Sequence, residues 1–154
     1  MEKSDIRKQV EEFMIAAGQE VKDKPGVPSD DVVRLRAKLV MEEFFELLEA
    51  MFKQKSASDK EMLENAHRKA ALVIEKLDVD VDMVEVADAC ADIDYVVEGG
   101  RLAFGINGKP IADEVQRTNM AKFGEGSWVR EDGKRMKPPG WEPPDIAKLL
   151  KDQE

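Results

Sequence analysis

Along most of the chain apolar residues return every three or four positions, the spacing of helices with one covered face. Ile6, Val10, Phe13, Met14 and Ala17 predict a first helix over 4–20, with Ser4 or Asp5 as its cap and Gly18 as its stop. Residues 22–30, with Pro25, Gly26 and Pro28, predict a loop. Ser29 or Asp30 then caps a long second helix over 30–54, and a break at 56–59 follows. Asp59 starts a third helix over 59–77, with Met62, Ala66, Ala70, Val73 and Leu77 on one side. A short acidic link leads into a fourth helix over 82–104, a turn at 105–110, and a fifth helix over 111–122. Beyond Phe123 the pattern changes, with glycines and prolines crowding residues 124–144. Asp132-Gly133 is a hairpin signal and Asp145 can cap a last short helix. Such a tail cannot build its own core, so 124–154 should lie on the helices or on a neighbouring subunit. The expected architecture is all-α: one domain over 1–154, a four- to five-helix bundle with a Pro/Gly-rich C-terminal tail.

The second and fourth helices break the usual polar-out pattern. Leu39, Glu43, Glu46 and Ala50 fall on one stripe, with Glu42 on its edge. The rest of the circumference carries Phe44, Phe45, Leu47, Leu48, Met51 and Phe52, as expected of a central, buried helix. Carboxylates embedded there would cost several kcal/mol each if dry and unpaired. A bound metal ion would compensate them. On the fourth helix Glu85, Asp88 and Asp92 share a face continued by Tyr95 and Gly99, while Val86, Ile93, Val97 and Phe104 line the opposite one. If the two rows face each other, their oxygens suit a hard divalent cation, Mg²⁺ first and Mn²⁺ as the alternative. The competing reading is a solvated acidic face. Because both helices are apolar on more than one face, a subunit interface and a homo-oligomer are expected.

Composition narrows the classes. The chain has 154 residues, 42% hydrophobic and 37% charged, with a net charge of −9. That charge argues against nucleic acid as a partner. No apolar run approaches the ~18 residues of a membrane span, and the first residues lack a leader pattern. Cys90, the single cysteine, reads as a core residue in a cytoplasmic protein without disulfides. His67 is the only histidine. It follows Glu64 by three, but a di-iron bundle needs two such motifs, and a nucleophilic triad has no other histidine to use. No phosphate-cradling Gly-x-x-x-x-Gly-Lys loop is present.

Glu42-Glu43-x-x-Glu46 followed by Glu85-x-x-Asp88 resembles the MazG-like all-α nucleoside triphosphate pyrophosphohydrolases, a superfamily that includes dimeric dUTPases and phosphoribosyl-ATP pyrophosphohydrolases. The segments around Val84–Val97, Leu102–Ile106 and Glu114–Phe123, and the tail from Glu131 to Asp145, resemble its phosphoribosyl-ATP-pyrophosphohydrolase-like subgroup, so the likeness covers residues 6–147. Thirty-eight residues separate Glu46 from Glu85, more than is usual between these motifs, the extra length falling at about 54–80. The resemblance implies Mg²⁺-dependent cleavage of a (deoxy)nucleoside triphosphate between its α and β phosphates, giving the monophosphate and pyrophosphate in a house-cleaning or pool-control role. By carry-over Glu43, Glu46, Glu85 and Asp88 are metal ligands. Glu42 is a ligand that also serves as base, Glu42 and Glu43 form the catalytic pair, and Asp92 is an additional or supporting carboxylate. The alternatives are a phosphoribosyl-ATP pyrophosphohydrolase, or a non-catalytic helical dimer that binds divalent cations.

Arg117, Asn119 and Lys122 lie on or near one turn, either as an ordinary polar face or, as the resemblance implies, in contact with phosphate. Lys134, Arg135 and Lys137 form a basic patch that either closes over a triphosphate or only solubilises the hairpin. Tyr95 either meets the nucleotide or packs in the core. Phe13 and Gln19 resemble the family's nucleoside-facing segment. Trp128 and Trp141 should pin the tail by packing. A homodimer or a dimer of dimers is expected. The choice of base and sugar, and the number of metal ions, are not written in the pattern.

Overall fold

A computed structural model describes residues 5–154. Ser4, and with it the leader-free reading of the first residues, lies outside the described residues. The chain divides into two compact units: Val27–Val81, and Met1–Gly26 together with Asp82–Glu154.

The unit Val27–Val81 is a helical hairpin of α2 (Asp30–Met51) and α3 (Ala57–Lys76). Ser29 occupies the cap position of α2 in an extended conformation without a side-chain cap bond. At α3 the Ser56 hydroxyl accepts from the Asp59 N–H while the Asp59 carboxylate accepts from the Ser56 N–H. That reciprocal box satisfies two end donors and starts the helix two residues before the Asp59 expected from sequence. Both Ser56 and Asp59 are cap-competent, and the pair forms only with the serine outside. The helices run antiparallel. The Arg34 guanidinium donates to the carbonyls of Ile74 and Glu75, in the last turn of α3, where backbone acceptors lack helical partners. Phe45 stacks on His67 with ring centroids 4.7 Å apart and planes 13° apart. His67 is therefore a packing residue of this hairpin, whose buried apolar side chains are Leu35, Met41 and Phe45.

The other unit holds α1 (Asp5–Ala16), α4 (Met83–Ala103), α5 (Gly108–Met120), a ribbon of β1 (Trp128–Val129) and β2 (Arg135–Met136), and α6 (Ile146–Lys151). Helix α1 ends as its glycine predicts. Gly18 takes φ 67°, its N–H bonds the Ile15 carbonyl, and the Gln19 N–H bonds that of Met14. Asp82 caps α4 by accepting from Val84 and Glu85. Helix α5 starts at Gly108, three residues before the expected position, because Asn107 caps it. Pro110 then sits in the first turn, where a missing N–H is harmless. The strands are antiparallel, pairing Trp128 with Met136 and Val129 with Arg135, around a turn in which Gly133 has φ 96°. Helix α1 is tied to α5 by the Gln9–Asp113 and Gln116–Glu12 side-chain bonds, and Phe13 meets Phe123 with centroids 5.2 Å apart.

The tail folds onto α5. Trp141 donates its indole N–H to the Thr118 carbonyl at 2.7 Å, and Thr118 is only 2% exposed. Gln153 brackets Asn107 with two bonds, accepting from its N–H and donating to its carbonyl. Asp145 caps α6 through the Lys148 N–H. The fold is thus all-α apart from one ribbon, and no helix of the described residues is long and apolar enough to cross a membrane.

Burial departs from expectation on α2 and α4. Only one face of α2, bearing Leu35, Met41 and Phe45, is covered; Val40, Phe44, Leu47 and Met51 on its other sides are exposed. Glu43 and Glu46 are exposed with them rather than embedded. Helix α4 is exposed along nearly its whole length, including Val86, Ile93, Val97, Tyr95 and Cys90, so neither Tyr95 nor Cys90 is a core residue of the single chain. Periodicity identified the apolar faces, but it does not say which of them one chain covers.

Candidate active site

Each acidic row sits where helix geometry presents it. On α2, Glu43 and Glu46 are three residues apart on an exposed face, and Glu42, one step round the helix, is half-buried. On α4, Glu85 and Asp88 repeat that spacing, Asp92 lies one turn further, and all three are exposed. Neighbours at i and i+3 have Cβ atoms about 5–6 Å apart, so two carboxylates of one helix can reach a common ion. The α2 row belongs to the unit Val27–Val81 and the α4 row to the other. Among the described residues no three His, Cys, Asp or Glu side chains are gathered tightly enough to hold a metal. The donor chemistry, carboxylate oxygen alone, nevertheless matches a hard dication such as Mg²⁺.

The cationic residues expected to meet phosphate lie on and after α5. Arg117 forks onto Glu114, with N–O distances of 2.8 and 2.7 Å. Those bonds hold the Glu114 carboxyl below its ordinary range and push the Arg117 guanidinium further up. Asn119 and Lys122 are half-buried. Lys134 lies in the hairpin turn, where its backbone N–H donates to Asp132. Arg135 folds back, its guanidinium 4.8 Å from the Phe123 ring centre and donating to the Ser127 hydroxyl. Arg130 is forked onto Asp132 at 2.8 and 2.7 Å.

One grouping on this face was missed from sequence. The Trp141 ring carries two ammonium groups, Lys137 at 4.7 Å and Lys122 at 5.8 Å from its centre. Trp141 was expected only to pack, and Lys122 was placed with Arg117 and Asn119. Local spacing offers no signal that joins them, because the tail brings them together by folding back on α5.

The model of the family described as phosphoribosyl-ATP pyrophosphohydrolase matches residues 10–119, a span that includes both acidic rows, Arg117 and Asn119. Among solved structures, a crystal structure at 1.78 Å resolution from Exiguobacterium sp. 255-15, provisionally assigned as an NTP pyrophosphohydrolase, is similar to this chain with a TM-score of 0.64 and 24% identity. The likeness covers 99% of this chain and all of that one, and at this identity it shows the fold. The curated proteins include no significant match. With the family model matching most of the chain, and both acidic motifs within the match, the protein belongs to the phosphoribosyl-ATP pyrophosphohydrolase family of the MazG-like all-α superfamily.

Proposed function

We propose that this chain, a pyrophosphohydrolase by family, cleaves a nucleoside or deoxynucleoside triphosphate between the α and β phosphates in a Mg²⁺-dependent reaction. The observation that carries the reading is the pair of acidic rows, Glu43 with Glu46 and Glu85 with Asp88, each presented on an exposed helix face inside the family match. These four would hold the metal, joined by Glu42 and supported by Asp92. Bound there, Mg²⁺ would offset phosphate charge and lower the pKa of a coordinated water. Glu42 takes the proton from the attacking water, a role suited to a carboxylate withdrawn from bulk solvent. Arg117, Asn119 and Lys122 hold phosphate oxygens, and Tyr95, exposed beside the α4 row, is available to stack on the nucleotide. Pyrophosphate leaves as the α-phosphorus gains the water oxygen.

A second copy of the chain would cover the apolar sides of α2 and α4. Val84, Leu102 and Phe104 are 76%, 72% and 66% exposed, which is costly for a monomer in water. A homodimer or a dimer of dimers follows, with the cytoplasm as its compartment, consistent with the free thiol of Cys90. The description of the matching family keeps phosphoribosyl-ATP as the second substrate reading. The deciding experiment measures pyrophosphate release from nucleoside and deoxynucleoside triphosphates and phosphoribosyl-ATP, with Mg²⁺ and with EDTA. Glu46→Gln and Asp88→Asn should abolish release. Activity unchanged in both variants would refute the site, and no release from any member of the panel would favour a non-catalytic cation-binding dimer.

A further inference from the structure

Asn107-Gly108 is the one place where an asparagine precedes a glycine, since Asn65 and Asn119 precede Ala66 and Met120. In water that pair is chemically labile. The glycine nitrogen can attack the asparagine carboxamide carbon because no side chain stands beside it. The bond from Gly108 N to Asn107 Cγ forms, the Cγ–Nδ2 bond breaks, and ammonia leaves with the proton of the attacking nitrogen. Water then opens the cyclic imide at either carbonyl, giving aspartate or isoaspartate. Asn107 is exposed, so water reaches it.

Local contacts require both residues. Asn107 caps α5, its Oδ1 accepting from the Lys109 N–H at 3.3 Å. A Cβ on residue 108 would fall 2.9 Å from Arg101 Cδ and 3.1 Å from its Nε, and Arg101 is itself held on Glu98 at 2.7 Å. The fold opposes the reaction at one torsion. Ring closure needs the Asn107 Cβ to eclipse the Gly108 nitrogen, which for an L-residue requires a negative ψ, and Asn107 has ψ 109°. The Gln153 amide grips that torsion from both sides. Its Oε1 accepts from the Asn107 N–H at 2.8 Å, and its Nε2 donates to the Asn107 carbonyl at 3.1 Å. The carbonyl swings about the Cα–C bond as ψ changes while the N–H does not, so a side chain bonded to both must release one before ψ can turn.

We propose that Asn107 is a site of spontaneous deamidation that the Gln153 clamp holds closed. Gln153 follows α6, a helix of only six residues, and so small an element opens locally without the rest of the fold. Each opening frees ψ, so the converted fraction records how long the tail has been undocked. The aspartyl product keeps a cap acceptor. Isoaspartate adds a methylene to the main chain, so the two clamped groups no longer match the Gln153 amide and the start of α5 stays loosened.

The test ages the full chain at constant pH and temperature and separates the amide, aspartyl and isoaspartyl forms of the tryptic peptide Leu102–Arg117. The Lys109–Pro110 bond resists trypsin, and the peptide holds no other asparagine. Conversion should be fast in urea and much slower in the folded parent. Gln153→Ala should speed the folded chain roughly tenfold, the effect of losing two exposed hydrogen bonds. Gln153→Glu keeps the acceptor but loses the donor, and should fall between the two. Ser56→Ala, a loss of similar size in the other unit, should convert at the parental rate. A folded parent that converts as fast as the chain in urea, or a Gln153→Ala variant no faster than the parent, overturns the clamp. Equal acceleration by Ser56→Ala overturns it too, because general unfolding would then set the rate.

Discussion

Trp141→Phe tests how the tail is held. The last turn of α5 leaves four carbonyls without helical partners. The Ala121 N–H takes that of Arg117, Lys122 takes that of Asn119, and Phe123 takes that of Met120. The Thr118 carbonyl is taken by the indole of Trp141 at 2.7 Å, at a residue only 2% exposed. Phenylalanine retains a ring over which Lys137 can sit, but it has no donor. The variant loses a net hydrogen bond worth about 0.5–1.5 kcal/mol and leaves a buried acceptor unpaired, so a total near 2 kcal/mol is expected. At 1.4 kcal/mol per factor of ten, the open population of the tail rises roughly thirtyfold. Where opening and closing are fast relative to cleavage, limited proteolysis tracks that population. Tryptic cleavage after Lys134 and Arg135 should therefore accelerate about thirtyfold. Trp128→Phe is the control: Trp128 is 51% exposed, and a surface change of about 0.5 kcal/mol alters the rate little more than twofold. If Trp141→Phe is cleaved within twofold of the parent, the indole does not anchor the tail.

Mg²⁺ at ten times its dissociation constant should stabilise the chain by about 1.4 kcal/mol by mass action, raising the melting temperature by about 3–6 °C. Calorimetry with and without Mg²⁺ checks this, and Glu46→Gln should remove the shift. The bond network between α1 and α5 should depend on pH at both ends. Lys109 and then Gln9 hold the Asp113 carboxyl below its ordinary value, while Asp113 pushes the Lys109 ammonium up. A depressed carboxylate stabilises above its unfolded pKa of about 4 and loses that as pH falls through its folded value. A raised ammonium stabilises below about 10.4 and loses that as pH rises through its folded value. Amide protection in α5, exchange relative to its intrinsic rate at each pH, should be greatest between those limits, and Asp113→Asn should flatten the profile at both ends. Ser56→Ala breaks the box at the start of α3 and should cost about 1 kcal/mol, read as a lower midpoint in urea at unchanged slope.

Features written in a few neighbouring residues were legible from sequence. Gly18 stops α1, Asp132-Gly133 turns the ribbon and Asp145 caps α6, because each depends on local φ preference or on a side chain reaching its own backbone. The misplaced starts of α3 and α5 come from the same short range, where two residues could cap and the choice turned on a reciprocal bond or on a proline tolerated in a first turn. The Trp141–Thr118 bond, the His67–Phe45 stack and the pairing of Lys122 with Lys137 over one ring were not legible. Each joins residues from different elements, and no periodicity reports which elements touch.

The exposure of α2 and α4 bears directly on the proposed chemistry. A carboxylate in water loses little by being charged, so solvent-facing Glu43, Glu46, Glu85 and Asp88 need no metal for the single chain to fold. The cost arises when the apolar flanks beside them, Phe44 and Leu47 on α2 and Val84 and Val86 on α4, are covered. Burying those flanks carries the adjacent carboxylates out of water, and their mutual repulsion then rises as the local dielectric falls. Association and cation binding should therefore be linked, each favouring the other, as any ligand that binds one state better shifts the equilibrium towards it. Sedimentation velocity across a Mg²⁺ series should show the larger species gaining population with the ion, and Glu46→Gln, which removes one buried charge, should associate more readily than its parent without metal. Association indifferent to both would mean that the apolar flanks and the acidic rows are not covered together.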